Sequence, residues 1–233
     1  MTEEIQHNKI IIKGDFVEIK YTGYVEGKPF DSNIKEDLKT LSQNEDPEKT
    51  MVIVGQQMVV PGLDNAFEGK EINKEYKIKI GFKEGFGQRH KELVRTIPLK
   101  VFAHQKVMPR PGASYVLDNQ LARVITISGA RVITDFNNPL AGKDLEYKFT
   151  IVKTVSDIKE KAETVCKLIL RFVPKIEVED NKVTICGPKI LEEFIKSNQS
   201  KFKELLNTEV HFKESAPEKQ EEKEASNLSA SSN

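Results

Sequence analysis

The chain has 233 residues, enough for one or two domains with a sizeable apolar core. Lysine plus arginine and aspartate plus glutamate both number 36, so the formal net charge is zero and a basic nucleic-acid-binding surface is not expected. No apolar run is long enough to span a bilayer, and residues 1–9 lack the pattern of a secretory signal. We therefore expect neither nucleic acid nor membrane among the partners.

The cysteines and histidines exclude two further classes of protein. Two cysteines, Cys166 and Cys186, cannot form a disulfide framework, so we expect buried structural thiols and a cytoplasmic location. The histidines have no metal-ligand spacing and are His7, His90, His104 and His211. The sequence therefore predicts neither a metal nor a cofactor.

The N-terminal third reads as strands joined by glycine turns. Residues 15–26 alternate between apolar and polar side chains, which predicts a strand with one buried face, and Gly27-Lys28 predicts a tight turn. Residues 33–49 are charged and unpatterned, as in a long loop or bulge that could contain a short helix. Residues 50–54 are apolar and β-branched and predict another strand.

The stretch from Val54 to Gly69 predicts a strand end, a turn and a short helix. Gly55 suits a turn with positive φ, and Gly62 permits a close approach of two backbones. Helical spacing of apolar residues follows, with Gly69 at the position of a C-terminal cap; these residues are Leu63, Ala66 and Phe67. Residues 73–80 then predict a strand, and residues 81–87 a glycine-punctuated loop.

Residues 88–137 have the texture of a separate unit. Ile97-Pro98 prevents a continuous helix there, because the residue before proline disfavours the helical region. Short β-branched runs separated by turn residues occupy 115–117, 121–127 and 131–134. We expect a small β-rich unit, followed by a turn at 137–142 and a strand over 145–155.

The remaining residues predict a compact domain of order α-β-β-α-β. Asp157 can cap a helix with an apolar stripe at Ile158, Ala162, Val165, Ile169 and Phe172. A hairpin should turn at Asp180-Asn181, and Pro188 should start a helix, with a restart at Ser200. Residues 209–213 predict a last strand. Residues 214–233 have almost nothing to bury and should be disordered.

The chain contains two separated stretches, Val17–Tyr24 continuing through Phe30-Asp31-Ser32 and Val54–Gly69, and the later pair Phe86-Gly87. Together they resemble the FKBP-type peptidyl-prolyl isomerases. The β-rich unit interrupts this pattern at the loop where the SlyD-like branch carries its insert-in-flap chaperone domain. Residues 135–142 look like the return of that branch into the final FKBP strand. The appended domain makes the chain most similar to the long-type FKBPs of archaea.

The resemblance implies an α+β fold: an FKBP-type antiparallel sheet wrapped on a short helix, with an inserted β-rich domain and a C-terminal α-β-β-α-β domain. The expected domains are an isomerase domain at 1–87 plus 138–155, an insert-in-flap chaperone domain at 88–137, a C-terminal domain at 156–213 and a disordered tail at 214–233.

The resemblance also implies a proline pocket without metal or covalent chemistry. Asp31 would be its one carboxylate, and the backbone N–H of Val60 would bind the substrate carbonyl after the proline. The other pocket residues would be Tyr21, Phe30, Val59, Leu63, Phe86 and Tyr147. Taken singly, the apolar members could be ordinary core residues and Asp31 a turn-former. The chain departs from drug-binding members in having Leu63 where they carry tryptophan, and Phe86 where a tyrosine is common.

The expected function is isomerisation of X-Pro bonds in unfolded or nascent proline-containing polypeptides, with chaperone activity from the insert. Candidate client-binding residues of the insert are Val94, Ile97, Val101, Phe102, Val107 and Met108, which could instead pack the insert's own core. The alternative is an FKBP-fold holdase with little isomerase activity. A homodimer through the C-terminal domain is a further option, as is a second client surface there.

Overall fold

The computed structural model describes residues 9–41 and 46–215. The chain forms two compact units, one ending at Thr154 and the other beginning at Val155. The predicted disordered tail lies outside the described residues from position 216 onward, as do residues 42–45 of the predicted loop.

A five-stranded antiparallel sheet forms the frame of the first unit. Its strands, numbered along the chain, are β1 (Phe16–Val25), β2 (Lys28–Ser32), β3 (Thr50–Ile53), β4 (Glu75–Ile80) and β9 (Leu145–Thr154). The order is β2-β1-β9-β4, and β3 also pairs with β1. Strand β1 is therefore the centre of the sheet. One edge of β1 pairs with β9, and its other edge pairs with β3 and then with β2.

The helix α2 (Pro61–Phe67) packs on one face of this sheet. Leu63 and Phe67 are fully buried, and the Phe67 ring meets the Phe149 ring of β9 edge-on at 5.1 Å. Gly69 has φ +77° and its N–H donates to the Ile11 carbonyl at 2.8 Å, so the expected glycine follows the helix end. A second short helix, α1 (Lys35–Thr40), lies in the predicted loop. The predicted α+β class is confirmed.

The inserted segment builds a separate four-stranded antiparallel sheet in the first unit, in the order β5-β8-β7-β6. Its elements are β5 (Val94–Pro98), α3 (Leu99–His104), β6 (Ser114–Leu117), β7 (Gln120–Ser128) and β8 (Arg131–Asp135). Helix α3 begins directly after Pro98, where the sequence excluded a continuous helix. The core of this sheet contains Phe102, Leu117, Ala122, Val124 and Val132.

Phe102 corrects one prediction about the insert. It is fully buried and its ring meets that of Tyr115 edge-on at 5.7 Å, so it belongs to the insert's core and is not available to a client. Ile97 is partly buried against the same core. The reason is that α3 is amphipathic and turns Phe102 onto the sheet.

Polar contacts join the two segments that connect the insert to the five-stranded sheet. The Arg89 guanidinium binds Asp135 Oδ2 through Nε at 3.0 Å and through a terminal nitrogen at 2.6 Å. Asn137 accepts from the His90 N–H at 2.8 Å and donates to the His90 carbonyl at 2.9 Å. Burial disfavours the charge of Asp135, but hydrogen bonds from Asn137 and Arg89 outweigh it and lower its pKa.

Over its described residues, 155–215, the second unit contains three helices and a three-stranded sheet of order β10-β11-β12. Its elements are α4 (Ile158–Leu170), β10 (Lys175–Glu179), β11 (Lys182–Gly187), α5 (Ile190–Ser197), α6 (Gln199–Leu206) and β12 (Val210–Glu214). The predicted hairpin is present, with β10 antiparallel to β11, and β12 pairs parallel to β11. The predicted restart of the helix occurs, so the order is α-β-β-α-α-β.

Helix α4 shows one correct and one wrong boundary feature. Asp157 Oδ1 accepts from the Glu160 N–H at 2.8 Å, as an N-cap does. Phe172 is not part of the buried helical stripe, because Arg171 adopts a left-handed conformation with φ +67° and ends the helix.

Cys166 and Cys186 are free and buried, which confirms the expectation of buried thiols. Within the described ranges, no helix is long and apolar enough to cross a membrane.

Candidate active site

A cavity of about 400 Å³ opens in the first unit beside strands β1 and β9 of the five-stranded sheet. Its walls combine aromatic, aliphatic and polar side chains, namely Tyr21, Asp31, Gln57, Met58, Val59, Val60, Leu63, Phe86 and Tyr147. Seven of the eight residues that the resemblance implied therefore lie around one cavity. The eighth, Phe30, lies behind the lining.

Phe30 supports the pocket through its ring. It meets the Tyr147 ring edge-on at 5.8 Å and the Phe86 ring at 6.0 Å, with interplanar angles of 85° and 77°. The Tyr21 and Tyr147 rings are tilted by 45° with their centroids 6.2 Å apart. Edge-to-face packing of this kind is the favoured arrangement of aromatic rings, so each of these rings limits the movement of the next.

Gly23 makes this cluster possible. It lies opposite Asp31 on β2 and opposite Tyr147 on β9. A Cβ atom at position 23 would fall 2.7 Å from Cζ of Phe30 and 2.9 Å from Cε1 of Tyr147. The glycine in the Tyr21-Thr22-Gly23-Tyr24 motif is therefore required by the two rings that lie on it.

Tyr21 and Asp31 form the polar pair of the pocket. The Tyr21 hydroxyl donates to Asp31 Oδ2 at 2.9 Å. Burial, followed by the Asp31 charge, raises the pKa of Tyr21 above its ordinary value, and the same two causes raise the pKa of Tyr147. Both phenols are therefore neutral hydrogen-bond donors across the physiological pH range.

A buried carboxylate holds the loop that carries Val59 and Val60. Asp64 is 2% exposed, and its two oxygens accept from the Gly55 N–H at 3.0 Å and the Gln57 N–H at 2.8 Å. Gly55 has φ +84° and Gln57 φ +53°, so both turn in the left-handed region. This fixed turn brings Gln57 and Met58 into the pocket wall.

Sequence reasoning missed Gln57 and Met58. The only signal was their position between a turn glycine and Val59. The Met58 sulfur accepts from the Ile53 N–H at 3.3 Å, which directs this side chain toward the core and the pocket. That contact depends on tertiary packing and has no counterpart in a local pattern.

Gly62 brings the loop bearing Phe86 onto the start of helix α2. Its N–H donates to the Glu84 carbonyl at 2.9 Å, and a Cβ atom there would collide with Ile80 and crowd Glu84. The close approach inferred from the sequence is therefore confirmed. Leu63 of this helix and Phe86 of the loop line the same cavity, so its wall has an aliphatic and an aromatic part.

The insert residues occupy more varied positions than the pocket residues. Met108 is 78% exposed, whereas Val94, Val101 and Val107 are half-buried. Three further apolar side chains that the sequence did not single out are exposed on the insert sheet: Val116 at 61%, Leu121 at 51% and Ile125 at 44%. Val116 and Leu121 lie opposite each other on β6 and β7, on the face away from Ala122.

Two family models match this part of the chain. One, described as FKBP-type peptidyl-prolyl cis-trans isomerase, matches residues 8–101, and one described as FKBP26, IF domain, matches residues 95–140. The second unit lies beyond both matches.

Curated relatives agree with these models. A short-type peptidyl-prolyl cis-trans isomerase of Methanocaldococcus jannaschii is 33% identical over 145 residues, which is 61% of this chain and 91% of that protein. The SlyD proteins of Haemophilus influenzae and Escherichia coli K12 are 30% and 24% identical over 102 residues, covering 42% of this chain and 53% and 52% of theirs. The chain belongs to the FKBP-type peptidyl-prolyl cis-trans isomerases, in a SlyD-like form with an insert-in-flap domain.

The raised pKa values predict late titration of the two pocket phenols. Ultraviolet absorbance should show that tyrosinate forms at Tyr21 and Tyr147 only above the ordinary pKa of about 10. Tyr21→Phe and Tyr147→Phe should each remove one ionisation from the part of the titration curve above that pH. Because the folded state holds these protons more tightly than the unfolded chain, its free energy of unfolding should fall as the pH rises above about 10. Loss of an ionisation at the ordinary pKa of about 10 in either variant would contradict the burial of these hydroxyls.

Proposed function

We propose that this enzyme isomerises X-Pro bonds in unfolded or nascent polypeptides by holding the proline in the cavity beside Tyr21 and Asp31. The observation that carries the proposal is a pocket of apolar and aromatic walls with a single carboxylate, which is itself hydrogen-bonded to a neutral phenol. Such a site suits a reaction that forms no covalent intermediate.

The physical difficulty of the reaction is amide resonance. Rotation about a peptide bond has a barrier of ~18–20 kcal/mol, so free X-Pro bonds isomerise in tens to hundreds of seconds. The twisted amide of the transition state has lost resonance and part of its charge separation. A dry apolar pocket therefore favours the twisted form over the planar amide, which water solvates better.

The pocket residues have separate roles in this mechanism. Leu63 lies beneath the proline ring, while Val59, Phe86 and Tyr147 enclose it. The Val60 carbonyl accepts from the Leu63 N–H at 2.9 Å and the Asp64 N–H at 3.1 Å, which fixes the orientation of this backbone segment. The Val60 N–H then binds the substrate carbonyl that follows the proline, and Asp31 lies beside the rotating bond.

The insert provides the second part of the proposed function, as a chaperone surface for the same client. Its exposed apolar residues Val116, Leu121 and Ile125, with Met108, hold an unfolded segment next to the pocket. Tethering converts the second binding event into an intramolecular one, which raises the local concentration of prolyl bonds. The proposed location is the cytoplasm, where two free, buried thiols stay reduced.

The second unit provides the proposed homodimer contact. Its described surface exposes the large apolar residues Phe172, Val173, Ile190 and Phe194, with Ile190 at 82%. Burial of such a surface against a second copy of the chain is favourable.

Light scattering should give the mass of a dimer for the wild type and of a monomer for Ile190→Glu/Phe194→Glu. A monomeric wild type would refute the dimer.

The isomerase proposal is tested with a protease-coupled assay on an Ala-Phe-Pro-Phe peptide. Asp31→Ala and Tyr21→Ala should each lower kcat/KM about tenfold or more, because each loses a polar contact and part of the pocket wall. Tyr24→Phe is the matched control: it alters another tyrosine of β1 that does not line the cavity. If neither pocket variant changes the rate, the pocket assignment is wrong and the holdase alternative stands.

The chaperone proposal is tested by refolding of a protein whose folding is limited by proline isomerisation. Val116→Ser/Leu121→Ser/Ile125→Ser should slow catalysed refolding about tenfold or more but leave kcat/KM on the tetrapeptide unchanged, because only the tether is lost. Deletion of residues 88–137 should act in the same way. Ile10→Ser/Ile12→Ser removes apolar side chains of similar exposure outside the insert and should have no effect. Full refolding activity in the triple variant would refute the coupling.

A further inference from the structure

Strand β1 is paired with β9 along one edge, but its other edge lacks a strand partner over a short interval at the pocket. Its pairing with β3 ends at Ile19, and its pairing with β2 begins at Thr22. Lys20 and Tyr21 therefore have no partner residue in β2 or β3. This gap lies beside Tyr21, a half-buried pocket residue. The backbone groups that face the gap need other hydrogen-bond partners.

The side-chain amide of Asn33 fills the gap. Its Oδ1 accepts from the Tyr21 N–H at 2.7 Å, and its Nδ2 donates to the Ile19 carbonyl at 2.7 Å. One carboxamide thus presents a donor and an acceptor to β1, as a peptide group of a neighbouring strand would. In the sequence, Asn33 is recognisable only as the start of a charged, unpatterned segment.

Further bonds connect the same segment to Tyr21. The Asn33 N–H donates to the Tyr21 carbonyl at 3.2 Å, and the Ser32 hydroxyl donates to that carbonyl at 3.0 Å. The Tyr21 hydroxyl in turn reaches Asp31 Oδ2 at 2.9 Å. These bonds hold the Tyr21 backbone against the segment that carries Asp31. They lie next to the hydrogen bond between the Tyr21 and Asp31 side chains.

The far side of this segment is also anchored. Ser32 Oγ accepts from the Ile34 N–H at 3.0 Å and lies 2.9 Å from the Thr22 hydroxyl, which donates to Asp37 of α1. Ser32 and Thr22 thus hold the residues on either side of Asn33 against β1, and Asn33 supplies the two side-chain bonds to the Tyr21 N–H and the Ile19 carbonyl.

The geometry points to Asn33 as a positioning residue for the isomerase reaction. It does not line the cavity, and it acts by setting the Tyr21 backbone so that the phenol meets Asp31. This inference rests on the proposed isomerase site.

The test is a double-mutant cycle between Asn33→Ala and Tyr21→Phe on the tetrapeptide assay. Asn33→Ala alone should lower kcat/KM about tenfold, because it leaves two backbone groups unpaired and loosens the phenol–carboxylate bond. In the Tyr21→Phe background the same substitution should cost much less, because the bond that it positions is already absent. Equal losses in both backgrounds would overturn the inference.

Two further measurements separate positioning from simple destabilisation. The ¹³Cζ resonance of Tyr21 reports its hydroxyl hydrogen bond and should shift in Asn33→Ala, while Asn33→Asp, which keeps an acceptor for the Tyr21 N–H, should retain more of the wild-type shift and activity. Asn137→Ala is the matched control, because Asn137 makes the same pair of bonds to His90 away from the pocket. It should leave kcat/KM unchanged.

The outcomes also distinguish this inference from the proposed function. If Tyr21→Phe lowers kcat/KM but Asn33→Ala does not, the isomerase site stands and the role of Asn33 is refuted. If Tyr21→Phe has no effect on a full-length active enzyme, the proposed pocket itself fails. An unshifted Tyr21 resonance in folded Asn33→Ala refutes the positioning role whatever the activity.

Discussion

The site depends on the backbone pairing of one ten-residue strand. Strand β1 carries Tyr21 on a segment held by β9 on one edge and by β3, Asn33 and β2 in succession on the other. This double attachment fixes side chains that have no covalent or ionic bond to orient them. A pocket that works by excluding water requires such a rigid frame, because apolar walls that could separate would admit solvent.

The polar groups of the pocket are consistent with the same requirement. Asp31 is bound by a phenol and Asp64 by two backbone amides, so each carboxylate has partners within hydrogen-bond distance. Asp31 is exposed, whereas Asp64 is buried, where an unpaired polar group would cost about 1–3 kcal/mol. The loop before α2 has a simple aliphatic sequence, and its conformation depends on the bonds to Asp64. In the sequence, Asp64 is an ordinary residue in the first turn of a helix.

The sequence predicted the framework of the fold and most of the pocket, since alternation, turn glycines and the family motifs are local signals. Residues such as Asn33, Gln57 and Asp64 were missed because their partners lie across the sheet or in a turn. Phe102 was wrongly placed among the exposed candidates because a short apolar segment broken by proline does not reveal which side will be covered. Exposed Leu121 was missed for the converse reason: in an alternating strand, the sequence does not say which of the two faces is buried.

The base of the insert has an evolutionary consequence. The Gly142 N–H donates to the Gly87 carbonyl at 2.8 Å, so the chain leaves and re-enters the isomerase sheet at almost the same point. The closure of the loop is therefore already provided by the parent domain, and lengthening a closed loop adds little entropic cost. A domain can therefore be gained or lost at this point of the flap without any change in the strand pairing of the five-stranded sheet.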